Sequence, residues 1–165
     1  MLYLNGEIGE TFKQYRPTFI FFILGDFVYL YMLSDYYPMW SYSHQGVDRE
    51  LGITNTHVSL SIMAVKYPAT ILIFLGRYPE TKSICKQAIY ILFWSLLYVI
   101  NEISDLFFGL KYSNGWHLGW SALFNIVMFT ILRIHHVKPL RAWVASGFFV
   151  VFLWIIFDVP SSVFR

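Results

Sequence analysis

The segment from Trp94 to Gly109, WSLLYVINEISDLFFG, is the strongest constraint on what this chain can become. It reads as the outer two-thirds of a membrane-spanning helix, yet it carries Asn101, Glu102 and Asp105. At helical spacing Ser95, Tyr98, Glu102, Asp105 and Gly109 share one stripe, and Leu, Ile, Val and Phe fill the other face. A carboxylate in hydrocarbon is costly unless it is paired, protonated or wetted. The rest of the chain must therefore enclose this stripe and supply what Glu102 needs.

Four further segments have the required length and apolarity. With about 20 residues needed to cross a bilayer core of about 30 Å, we read spans at 18–37, 57–76, 88–110, 116–134 and 141–158. The expected fold is all-α: a single polytopic membrane domain over 1–165, with five transmembrane helices and a short amphipathic N-terminal segment. Only 13% of the 165 residues are charged and 57% are hydrophobic. A soluble domain carries about 25% charged residues, so a second, soluble unit has no place here. In residues 1–16, Ile8, Phe12 and Tyr15 share a face, as in a helix lying on the membrane surface. Glu7 and Glu10 stand where a cleavable signal would be basic, so the first span is expected to stay in the mature protein.

The loops punctuate these spans. Pro17 suits a first helical turn, and Tyr36, Tyr37 and Trp40 form an aromatic belt. Residues 38–56 are the longest loop. Pro68 is expected to kink span 2 and free the Ala64 carbonyl. The short turn from Lys111 to Gly115 should make spans 3 and 4 an antiparallel pair. Ala142, Ala145, Ser146 and Gly147 open span 5 with small residues suited to close helix contact, whereas its second half, FFVVFLWIIF, suits lipid.

Polar residues recur at one depth in four spans. Asp26, Lys66 and Asn125 each fall near the middle of their helix, with Asn101 and Glu102 slightly outward and Asp105 further out. His117, Ser121 and Asn125 share a face at i, i+4, i+8, and Tyr98 lies on the Glu102 stripe. Intramembrane ionisable groups mark ion or substrate pathways, or else structural networks. Lys66 is expected to neutralise Asp26 or Glu102, with Asn125 and Tyr98 on the remaining oxygens. One amine does not balance these carboxylates, so the excess acid needs a proton or a cation. The candidate ligand- or ion-binding set is thus Asp26, Lys66, Tyr98, Asn101, Glu102, Asp105, Ser121 and Asn125.

Two other groups carry weaker signals. His44, His57 and His117, with Asp35, Asp48, Glu50 and Asp158, lie toward the outer face and are weak metal candidates without a ligand-spacing motif. Arg133, His135, His136, Lys138 and Arg141 close span 4 and suit anionic lipid headgroups. The small net charge of +2 makes nucleic acid an unlikely partner, the single Cys85 forms no internal disulfide, and no cofactor motif is present. No Ser-His-Asp, Cys-His or phosphate-loop arrangement speaks for an enzyme.

Gly25-Asp26, Tyr67-Pro68-Ala69-Thr70, Asn114-Gly115-Trp116, Trp120-Ser121, Phe124-Asn125, Arg133-Ile134-His135 and Lys138-Pro139-Leu140 together give the chain a familiar outline. Over nearly its whole length it resembles a family of small multipass membrane proteins, of unassigned activity, from Gram-positive spore-forming bacteria. The resemblance implies a bacterial plasma membrane and transfers no ligand or catalytic residue. Lys66 lies outside the matching motifs, so in such a family the carboxylates would rely on protonation, water or an external cation.

Three readings follow. The first is a small protein that binds or translocates a proton, cation or small cationic solute, with a path at a homodimer interface as one form. The second is an accessory or sensor subunit whose polar stripes are interhelical glue for another membrane protein. The third is a lipid-active enzyme using the histidines.

Orientation is set by basic residues. Lys13, Arg16, Arg77, Lys82, Lys86, Arg133, Lys138 and Arg141 lie on one side; Arg49, Lys111 and Arg165 lie on the other. The N-terminus is therefore expected in the cytoplasm and the C-terminus outside. In intact cells a C-terminal tag should be reached by an impermeant probe; a tag shielded in the cytoplasm would overturn the span count or the orientation.

Overall fold

Among the described residues the chain forms five long helices and two short strands. The computed structural model describes residues 2–33, 36–42, 52 and 54–163, with backbone alone at 2–12, 32, 55 and 56. His44, Asp35, Asp48, Glu50, Arg49 and Arg165 lie outside the described residues. Helix α1 is Leu2–Met32, followed by strand β1, Trp40–Tyr42. Helix α2 runs through 55–76 in three parts: α-helical Asn55–Ser61, π-helical Ile62–Lys66 and α-helical Tyr67–Gly76. Helix α3 is Ile84–Phe107, strand β2 is Leu110–Tyr112, α4 is Leu118–Val137 and α5 is Pro139–Ile156. Four helices, over His57–Gly76, Ile84–Phe107, Leu118–Val137 and Pro139–Ile156, are long and apolar enough to cross a membrane. The architecture is that of an all-α membrane-helix bundle.

Helix α1 corrects the expectation of a separate surface segment. Residues 2–32 form one helix with Pro17 inside it, and the helix stops short of Tyr37. Pro17 removes the donor for the Lys13 carbonyl. Lys13, Gln14 and Arg16 are exposed, so water can take that donor's place. Tyr15, expected on an interfacial face, is buried against Phe19, Ile71, Phe74, Leu75, Phe129 and Leu132.

Local chemistry fixes the other helix ends. Thr54 and His57 form a reciprocal capping box at the start of α2. Ahead of Pro68, the Tyr67 N–H reaches back five residues to Ile62 O. The expected kink is thus taken up as one π-helical turn. His117 caps α4 by accepting from Gly119 N at 3.1 Å, and Pro139 opens α5. The α3–α4 connection is longer than the expected turn and contains β2; Asn114, at φ +51°, and Gly115, at φ +79°, reverse the chain there.

Helix α4 is the hub, packing on α3, α5, α1 and α2. Its buried stripe is Ser121, Asn125, Phe129, Leu132 and His135. Helices α2 and α3 meet mainly through long side chains: Tyr98 to Thr70, and Tyr90 Oη donating to Phe74 O at 3.1 Å. An aromatic core around Phe74 and Phe129 fills one end of the bundle. A second core at the other end joins Met39, Phe157, Val159 and Val163 to Trp40, Trp116 and Trp120.

The second end is also tied through the backbone. Strands β1 and β2 pair antiparallel, Trp40 opposite Tyr112, Ser41 opposite Lys111 and Tyr42 opposite Leu110. Tyr37 Oη donates to Phe157 O at 2.8 Å and Asn114 Nδ2 to Pro38 O at 2.8 Å. The segments after α1, α3 and α5 therefore meet on one face. At the opposite face Arg133 bridges Glu80 at 2.7 Å and Thr18 contacts His135, so the five helices alternate in direction.

The small-residue start of α5 divides in two. Ala142 has 0% exposure, whereas Gly147 is exposed and a Cβ there would meet nothing within 4 Å. The expected close contact is therefore at Ala142 and not at Gly147. Further along, Phe148, Val151 and Ile155 are exposed, as a lipid-facing surface requires. Ala142→Leu should lower stability in detergent by about 1–3 kcal/mol through overpacking, and Gly147→Leu should leave it unchanged. Equal thermal unfolding of the two variants would contradict this placement.

Candidate functional site

Between the two aromatic cores lies a polar layer drawn from α1 to α4, in two groups. In the first, the Tyr67 hydroxyl of α2 is set beside the Asp26 carboxylate of α1. Phe22 packs edge-on against Tyr67, with ring centroids 4.5 Å apart. Asp26 thus has its polar neighbour on α2, in Tyr67, which is not among the candidate site residues read from the sequence.

In the second group α2 faces α3. Lys66 Nζ donates to Asn101 Oδ1 and lies 4.6 Å over the Tyr98 ring. The Tyr98 and Thr70 hydroxyls are 2.6 Å apart. Among the described residues Lys66 forms no ion pair with Asp26 or Glu102, which corrects the expected neutralisation. Adjacent helical residues point about 100° apart. Tyr67 turns to α1, so Lys66 turns to α3. There its electrostatic partners are Asp105 first and Glu102 second.

Glu102 is the centre of the second group. Its Oε1 accepts from Ser121 Oγ at 2.6 Å and from Tyr112 Oη at 2.8 Å. Trp116 Nε1 donates to Ser121 Oγ at 2.8 Å and holds that hydroxyl in place. The stripe predicted on α3 faces inward: Ser95 is buried and Tyr98, Glu102 and Asp105 are partly buried, while Leu96, Ile100 and Ile103 are exposed. Asn101 is exposed on the side facing Lys66. Asn125 is buried on α4 at 7% exposure.

Neither Tyr112 nor Trp116 is among the candidate site residues read from the sequence. Tyr112 reaches Glu102 because β1 pairs with β2, and three-residue strands leave no readable alternation. Burial, with the hydrogen bond given to Glu102, pushes the Tyr112 phenol up to about 12.

The remaining candidates are placed as follows. Arg133 bridges Glu80 and lies 4.5 Å over the Tyr78 ring. His135 is buried, 3.1 Å from Thr18 Oγ1 and stacked on Phe21 at 4.2 Å. His136 tilts against Tyr15. Of the residues read as headgroup contacts, Lys138 and Arg141 are exposed and the other three are engaged inside the fold. Among the metal candidates His57 and His117 both cap helices. Among the described residues no three His, Cys, Asp or Glu side chains gather as metal ligands.

Fold and site define a membrane-helix bundle with a carboxylate-rich polar layer. No family model, curated protein or solved structure matches the chain.

Removing one donor should expose the dependence on Glu102. Tyr112→Phe keeps the ring and should cost roughly 1 kcal/mol of stability. In the parent, the folded state holds the phenol proton more tightly than the unfolded state. Its stability contribution is complete below about pH 10 and falls as the pH rises through about 12. Tyrosinate absorbance should lose one late-titrating residue in Tyr112→Phe; an unchanged late phase would contradict the contact.

Proposed function

We propose that this chain is a multispan protein of the bacterial plasma membrane that binds or passes a proton, a cation or a small cationic solute at the polar layer. It crosses five times, α1 included, with the N-terminus in the cytoplasm. The alternating helix directions and the bias of basic residues support this arrangement.

One observation carries the functional reading. Asp26, Glu102 and Asp105 stand against a single amine, Lys66, whose hydrogen bond goes to the Asn101 amide. Among the described residues the hydrogen bonds to Asp26 and Glu102 come from neutral hydroxyls. Hydroxyls solvate a carboxylate but do not cancel its charge, and an uncompensated charge in an apolar bundle draws a proton or cation. Helices α2 and α3, bridged by side chains, offer the approach, since Asn101 is exposed there.

A second reading has its own support. Glu102 joins α3, α4 and β2 through its two hydroxyl partners, so it also serves as glue, in keeping with an accessory subunit bound to another membrane protein. Glu102→Gln separates the two. If the carboxylate binds a cation or proton, the variant folds and inserts with stability within about 1 kcal/mol of the parent but loses uptake in proteoliposomes. Uptake unchanged in a folded but destabilised variant would overturn the functional reading in favour of glue.

A further inference from the structure

Both hydroxyls at Glu102 converge on the same oxygen. Ser121 Oγ and Tyr112 Oη each donate to Oε1. Among the described residues Oε2 accepts no hydrogen bond. A carboxylate in an apolar bundle with one oxygen doubly served and the other bare is an incomplete ligand set.

Asn125 completes the geometry. Its side chain is more than nine-tenths buried and has no hydrogen-bond partner among the described residues. It stands on the buried stripe of α4, one turn from Ser121 and one turn from Phe129. Ser121 touches Glu102, and the Phe129 ring meets the Tyr98 ring at 5.1 Å. Asn125 therefore lies on α4 between the residue that touches Glu102 and the one that meets Tyr98. Among the described residues Glu102 and Asn125 make no hydrogen bond to each other.

Charge and size select what completes that ligand set. Near this point Glu102 and Asp105 contribute two negative charges and Lys66 one positive, so one further unit charge brings the region to neutrality. A divalent ion would leave an excess in an apolar bundle. Phe129, with no exposure, closes the inner side, and Ser121 and Asn125 are buried, which leaves little room for an organic substituent. Carboxylate, amide and hydroxyl oxygens are hard ligands. We propose that Glu102 Oε2 and Asn125 Oδ1 bind one monovalent metal cation, Na⁺ or K⁺, with the lone pairs of Ser121 Oγ and Tyr112 Oη beside it. This rests on the cation-binding reading above and names its ligand.

The test uses the full chain in detergent, with thermal unfolding followed at constant ionic strength as choline chloride is exchanged for NaCl, KCl or a little MgCl₂. One of the two monovalent salts should raise Tm saturably, because a ligand that binds the folded state stabilises it. Asn125→Leu should weaken the apparent affinity about tenfold or more, and Glu102→Gln should abolish the response. Ser104→Ala removes a hydroxyl that, among the described residues, bonds its own helix at Ile100 O, and should keep the response. Should Asn125→Leu not fold, calorimetric titration of the parent and of Glu102→Gln with NaCl and KCl decides. No monovalent response in the parent, a response to Mg²⁺ alone, or a response that survives both variants overturns the proposal. In that event proton uptake on the same preparations distinguishes the two levels. Uptake lost in Glu102→Gln leaves the wider reading standing; no uptake in the parent removes both.

Discussion

The Glu102 carboxylate, held by Ser121 Oγ at 2.6 Å and Tyr112 Oη at 2.8 Å, joins three pieces of chain that are distant in sequence. It binds α3 to α4 and both to the small sheet that closes one end of the bundle. Each partner is in turn held. Trp116 fixes Ser121, and the pairing of Trp40 with Tyr112 brings the loop after α1 to the same place. A charge that could not face hydrocarbon has thereby set the inward face of α3. Once that face is set, Leu96, Ile100 and Ile103 must face outward. The neighbouring polar residues follow the same rule. Asp26 takes Tyr67 from α2, and Lys66, one residue earlier on that helix, is turned toward Asn101 and Asp105.

Division of labour along the bundle supports this layer. On one side the rings of Phe74, Tyr90, Trp94 and Phe129 interlock, with Phe74 and Phe129 centroids 4.9 Å apart. On the other, Trp116, Trp120 and Phe157 pack together under the sheet. These apolar plugs raise the cost of any unpaired polar atom between them. The π-helical turn at Ile62–Lys66 ends at Lys66 itself, so the backbone adjustment ahead of Pro68 borders the site.

Much of this was legible in the sequence, because long apolar segments with a period of 3.6 leave one plausible architecture. The inward stripe of Tyr98, Glu102 and Asp105 was readable from spacing alone, as was the shared face of Ser121 and Asn125. What escaped was partner choice. Tyr67, Tyr112 and Trp116 occur in a chain with 12 tyrosines and 6 tryptophans, where an aromatic residue reads equally well as core, belt or donor. The β1–β2 pairing has three residues a side and no periodic signature. His135 sat in a basic cluster that reads as interfacial, and only the approach of Thr18 and Phe21 from α1 explains its burial. Gly147 looked like Ala142 because composition does not say which small residue faces a neighbour.

The central claim is that the polar layer is reached from water on the α2–α3 side while the rest of α3 faces lipid. Thiol accessibility tests it directly. With the exposed Cys85 replaced by Ser, single cysteines are placed at Asn101, Asp105, Leu96 and Ile103 in protein reconstituted into bilayers. The account predicts that a charged, water-soluble thiol reagent labels the cysteines at 101 and 105 and leaves those at 96 and 103 unmodified. Labelling at 96 and 103 with none at 101 and 105 would contradict it, placing water on the face assigned to lipid and sealing the layer assigned to ions.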